Sequence, residues 1–127
     1  MSEFLTKLEN WKDTVEFQAG DEIISEGAAG TDLYVILSGE VELSLRGTSL
    51  GKESAGGIIG EMAMLASTAG NPTAKAVGQV RLARLSCDQF TRLLSENPDF
   101  SHQALLAMAN RLRAANAFIR TQLEARE

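Results

Sequence analysis

"DLYVILSGEVELSLRG", residues 32–47, decides how the rest of the chain is read. Val41, Leu43 and Leu45 alternate with Glu40, Glu42, Ser44 and Arg46, the period of two that marks a strand with one buried and one wet face. Ser38 and Gly39 supply turn residues, so 33–46 reads as a β-hairpin with one face in water. On either side lie further short β-like runs punctuated by glycine, "VEFQAGDEII" and "TAKAVGQVRLARLS", which extend the β region over residues 15–86. Several short strands at regular spacing imply a sandwich, a jelly roll or a barrel, the architectures that hide sheet edges.

Helical signals flank this region. Phe4, Leu5, Leu8 and Trp11 share one face, so residues 2–11 read as a short helix that docks on the rest. Ser86 with Gln89 three residues on forms a capping-box pattern, and Phe90, Leu93 and Leu94 follow on one face, which predicts a helix over 87–97. Asn97 then caps a second helix with Pro98 at its first position. That helix is predicted over 98–125, roughly 40 Å long at 1.5 Å per residue. Its stripe of Leu105, Met108, Leu112, Ala115 and Ile119 suits pairing with a second copy of the chain.

Composition limits the function. A chain of 127 residues that is 44% hydrophobic fits one domain. A net charge of -5, with no basic run, argues against direct nucleic-acid binding, which is driven by Lys and Arg. One cysteine, Cys87, excludes an internal disulfide and multi-cysteine metal or iron–sulfur cages, so no metal is expected. It is read as a packed thiol beside Asp88, and the single histidine, His102, as a surface or core residue. The start, "MSEFLTKLEN", lacks the character of a signal peptide, and no apolar run is long enough for a membrane helix. The expectation is a cytoplasmic protein.

The chemistry concentrates in "GGIIGEMAMLASTAGNPTAKAV", residues 56–77. It reads as a strand passing into a single helical turn. The free N–H groups near Glu61, Met62 and Ala63 can take a phosphate there, and Gly60 lets a ligand approach the backbone closely. A carboxylate at Glu61 would repel an anion but suits a neutral hydroxyl such as a ribose 2'-OH. Sugar plus phosphate implies a nucleotide.

Three stretches then occur in order: "FQAGDEIISEGAAGTDLYVILSGEVELSL", "GIIGEMAML" and "VRLARLSCDQFTRLLSENPDF", followed by "LLAMANRLRAAN". Together they resemble the cyclic nucleotide-binding domain of the catabolite activator and fumarate–nitrate regulator family. The resemblance implies a mainly β fold with flanking helices: an eight-stranded jelly roll, or double-stranded β-helix, with a long C-terminal dimerisation helix. It also implies that Gly60, Glu61, Met62 and Ala63 match the first half of the phosphate-binding cassette, with the glutamate on the ribose hydroxyl and the adjoining amides on the cyclic phosphate.

The second half departs from the family pattern. An ungapped register places Gly70 where the family has its arginine and Thr73 at its threonine, and between Arg46 and Arg81 the only cations are Lys52 and Lys75. Losing a charge-assisted hydrogen bond costs about 1.5–3 kcal/mol, a tenfold or greater loss of affinity at ~1.4 kcal/mol per factor of ten. Gly70 and Asn71 partly compensate if they form an amide nest. Asn116 stands near the family's base-contacting positions and could reach a purine edge. Cyclic AMP or cyclic GMP is therefore the expected ligand, weakened by the missing arginine.

The family's DNA-binding, kinase or channel segments have no counterpart before Glu127. The reading is a stand-alone regulatory domain: a homodimer that binds a small-molecule nucleotide in the 60–73 cassette and signals through the long helix to an unknown protein partner, with no membrane or direct nucleic-acid contact. The alternative is a ligand-free, degenerate member that serves as an interaction or dimerisation module. An enzyme is disfavoured, because Asp13, Glu16, Asp21 and Glu22 are scattered through turns and wet strand faces without a nucleophile–base pair.

Overall fold

The computed structural model describes residues 8–27, 32–60, 72–102, 104–106 and 109. The strands are β1 (Thr14–Phe17), β2 (Glu22–Ile24), β3 (Asp32–Ser38), β4 (Val41–Leu45), β5 (Thr48–Glu53), β6 (Ile58–Ile59), β7 (Thr73–Ala76) and β8 (Val80–Ser86), followed by helix α1 (Cys87–Glu96). They form two four-stranded antiparallel sheets, ordered β1-β8-β3-β6 and β2-β7-β4-β5. The two orders correspond position by position, since β1 continues into β2, β7 into β8, β3 into β4 and β5 into β6. Four chain segments therefore run side by side across one shared corner and bend there. Hydrogen bonds follow them around it: Gly20 N donates to Ala76 O (2.8 Å), Val77 N to Glu40 O (2.9 Å) and Gly56 N to Ile36 O (2.8 Å). This is the jelly-roll solution among those the strand pattern allowed.

That topology corrects one expectation. β3 and β4 do not pair with each other, and Ser38 and Gly39 do not close a hairpin; β3 bonds to β8 and β6, and β4 to β7 and β5. Gly39 sits at φ +93°, and a Cβ on it would press on the Gln79 carbonyl oxygen and stand 2.9 Å from Val80 Cα. The glycine thus serves a close crossing of two bent segments rather than a reversal. The tight hairpin is β4–β5, with Leu45 opposite Thr48. Its two loop residues, Arg46 (φ 51°) and Gly47 (φ 80°), both lie in the left-handed region, as the favoured two-residue hairpin turn requires.

Strand alternation divides the core into two layers. Ile36, Val41, Leu43, Ile59, Ala74, Ala76, Val80 and Leu82 fill the interior between the sheets. On the other face of the first sheet, Leu33, Val35, Ile58, Ala83 and Leu85 pack against Leu8, Phe90, Leu93, Phe100 and Ala104 from the helical segments. Phe90 and Phe100 meet edge to face, with centroids 5.6 Å apart and planes at 78°.

The helix signals take physical form. Gln89 N donates to Ser86 Oγ (3.2 Å) and Ser86 N to Gln89 Oε1 (2.8 Å), completing the capping box of α1. Asn97 closes that helix, its backbone N–H and its side-chain Nδ2 both donating to Leu93 O, while its own carbonyl accepts from Ser101 N. Cys87 is exposed rather than packed, because the first turn of α1 turns that face to solvent. His102 is helical and exposed. Of the helix expected over 2–11, residues 2–7 lie outside the described residues; Leu8 is helical and fully buried, and Trp11 packs on the same cluster. Of the helix expected over 98–125, helical conformation is described at 98–102, 104–106 and 109, and the rest, with its dimerisation stripe beyond Leu105, lies outside the described residues.

Candidate functional site

Gly60 leaves the first sheet and Thr73 enters the second, both at the end of the roll opposite the corner. Gly60 follows β6 directly, beside the start of β3, and Thr73 opens β7 opposite Ser44. Gly60 has φ +90°, and a Cβ there would stand 3.3 Å from both Asp32 O and Leu33 Cα and 3.4 Å from Ile24 Cδ1. Only glycine meets both the conformation and the contact without strain. Glu61, Met62, Ala63, Gly70, Asn71 and Asn116 lie outside the described residues.

The interior at this end of the roll is apolar. Leu43, Ile59 and Ala74 are buried, with Ile24 and Tyr34 packed against them. These side chains belong to the packed interior of the roll beneath the point where β6 ends and β7 begins. Thr73 is half-buried and shares a face with exposed Lys75, while Ala74 and Ala76 point inward. The Thr73 side chain therefore faces away from the interior, and Thr73 marks the downstream anchor of the segment. Lys52 lies in β5, 3.8 Å from Glu40 Oε1.

One polar cluster escapes sequence reasoning. Arg84 donates from Nε to Asp13 Oδ2 and from Nη2 to Asp13 Oδ1, each at 2.9 Å. Those hydrogen bonds hold the Asp13 carboxyl below its ordinary value and push the guanidinium further above its own. Arg84 N also donates to Asp13 O (2.8 Å), and Trp11 Nε1 to Arg84 O (2.9 Å). The two residues stand 71 positions apart, and only the β1–β8 pairing makes them neighbours. With its charge engaged by Asp13, Arg84 ties the start of β1 to β8. Among the described residues, no group of three or more His, Cys, Asp or Glu side chains is arranged to hold a metal ion.

Known proteins share this arrangement. The cAMP-dependent protein kinase regulatory subunit of Emericella nidulans is 36% identical over 90 residues, covering 69% of this chain and 22% of its own length. A CRP-like cAMP-activated global transcriptional regulator of Mycobacterium tuberculosis is 28% identical over 108 residues, covering 80% of this chain and 48% of its own. This chain thus spans less than half the length of either relative. The heme domain of CooA from Carboxydothermus hydrogenoformans has the same fold, with a TM-score of 0.79 over 98% of this chain and 93% of that one at 15% identity. The family described as the cyclic nucleotide-binding domain matches residues 14–97, which run from β1 through the cassette to the cap of α1. With the jelly roll and the glycine-hinged exit from β6 on the same residues, the chain belongs to the cyclic nucleotide-binding domain family.

Proposed function

We propose that this protein is a regulatory sensor domain that binds a cyclic nucleotide, cyclic AMP or cyclic GMP, or a related anion in the cassette of residues 60–73. The observation that carries the reading is Gly60: its positive φ and the closeness of Asp32 and Leu33 shape the exit from β6 where the cassette begins. In this reading the amides of Glu61, Met62 and Ala63 receive the phosphate, the Glu61 carboxylate takes the ribose hydroxyl, and Gly70 and Asn71 stand in for the absent arginine. Thr73 anchors the downstream end, and Asn116 meets the base. The buried Leu43, Ile59 and Ala74 give this end of the roll a rigid apolar interior. The domain works without metal and without chemistry of its own, in the cytoplasm. It signals as a homodimer through the C-terminal helix of 98–125, toward a protein partner rather than toward nucleic acid or a membrane.

A ligand-free interaction module is the second reading, and exposed apolar side chains favour it. Leu105 and Leu106 are 65% and 48% exposed, directly after the buried Ala104. Thermal unfolding with a panel of cyclic nucleotides separates the two. A ligand at about 100 times its Kd adds about 2.7 kcal/mol, which moves the melting point of a domain this size by several degrees. A shift abolished by Glu61→Ala supports the sensor. No shift in the wild type, with binding of cyclic AMP gained in Gly70→Arg, supports the module.

A further inference from the structure

We infer that residues 8–13 form a strap that opens as a unit of its own, with Arg84 as its catch, and that this strap sets how firmly the helical segment after Pro98 is seated. Arg84 holds the strap through backbone and side chain alike. Its N–H donates to Asp13 O (2.8 Å), and its carbonyl accepts from Trp11 Nε1 (2.9 Å). Its guanidinium donates from Nε and Nη2 to the two Asp13 carboxylate oxygens, each at 2.9 Å. The register of Thr14 opposite Ala83 puts Asp13 opposite Arg84, one step before β1 begins. A hydrogen-bonded pair in an antiparallel ladder exchanges two backbone bonds. At this pair the Trp11 indole takes the Arg84 oxygen to which the second bond would run, so a side chain of the strap finishes the ladder.

The strap belongs to the helical layer and not to the roll. Leu8 is fully buried, and Trp11 packs on the same cluster, which joins Phe90, Leu93, Phe100 and Ala104 to the outer face of the first sheet. The core between the sheets is filled, among the described residues, from β3, β4, β6, β7 and β8, with nothing from residues 8–13. Opening the strap therefore leaves that core intact, the condition for a local opening distinct from global unfolding. Beyond Arg84, the strap is tied to β8 by Arg81 Nη2, which donates to Glu9 O at 3.2 Å on the surface. The Arg84 and Asp13 side chains are themselves part-exposed, so water and salt ions compete for the catch. When the catch opens, Leu8 leaves the cluster it shares with Phe100 and Ala104. The helical segment then rests on an emptied site, and buried side chains over a cavity lose the contacts that hold them.

Two substitutions weaken the catch while sparing the apolar contacts. Trp11→Phe keeps a ring and removes the indole N–H; Asp13→Asn removes the charge and one acceptor oxygen. The full chain as wild type, each single variant and the double variant would be compared by amide hydrogen exchange. The amides of residues 11 and 84, bonded to Leu8 O and Asp13 O, report on the strap. The Ser101 amide, bonded to Asn97 O, reports on the helical segment, and the Ile36 amide, bonded to Gly57 O, on the roll. The expected result is roughly tenfold faster exchange at residues 11, 84 and 101 in the double variant, a smaller rise in each single variant, and wild-type exchange at Ile36. Unchanged exchange at residues 11 and 84 overturns the inference, because Arg84 is then no catch. A rise at Ile36 equal to that at residue 11 overturns it as well, since strap and roll then open together. So does a rise at residues 11 and 84 without one at Ser101, which would leave the helical segment independent of the strap.

Discussion

Arg84 and Asp13 form a two-pronged ion pair, Nε and Nη2 each 2.9 Å from a different carboxylate oxygen, joining the residue before β1 to β8. Because Arg84 lowers the folded pKa of Asp13, the pair stabilises the protein fully above the unfolded carboxylate value of 3.8 and is lost as pH falls through the lower folded value. Acid unfolding should therefore be less steep below about pH 4 in Asp13→Asn than in the wild type. Melting curves across that range check this. The side chains are 40% and 49% exposed, so the effect should shrink with added salt.

Gly39→Ala should be strongly destabilising. The substitution imposes an unfavourable φ and drives a methyl group into the backbone of Gln79 and Val80 at the corner. A loss of roughly 2 kcal/mol or more is expected, read from urea unfolding midpoints. Gly47→Ala, also at positive φ but with open space around it, should cost less, about 1 kcal/mol.

Gly60→Ala tests the exit from β6. The methyl would meet Asp32 O and Leu33 Cα at 3.3 Å in a conformation that L-residues rarely adopt. A destabilisation of about 1–3 kcal/mol is expected. Under the sensor reading, binding of cyclic AMP is lost as well, which titration of the folded variant would register.

Phe100→Ala should remove the keystone of the helical layer. Its ring is fully buried and meets Phe90 edge to face, with Leu8 and Ala104 in the same cluster. A cost of about 3–5 kcal/mol is expected. Ser86→Ala, which removes one half of the capping box, should cost about 0.5–2 kcal/mol. Chemical denaturation separates these magnitudes.

Local signals in the sequence determined local structure. The alternation of Val41, Leu43 and Leu45 marks a strand whatever it pairs with, and Ser86 with Gln89 marks a helix start because both bonds of the box form within four residues. Gly60, read from the sequence as a place where a ligand approaches the backbone, has positive φ and its own chain, Asp32 and Leu33, pressed against it. Pairing was decided elsewhere. Ser38 and Gly39 have the composition of a hairpin turn, yet β3 and β4 enter different sheets, because β8 and β7 approach from much later in the chain and take the bonds a hairpin would have used. The same long-range pairing brought Asp13 to Arg84 and Glu26 to Arg46. Conformational preference is a property of a few adjacent residues, and sequence records it directly. Which strand satisfies which backbone donor depends on competition among all of them at once, and only the folded chain settles that.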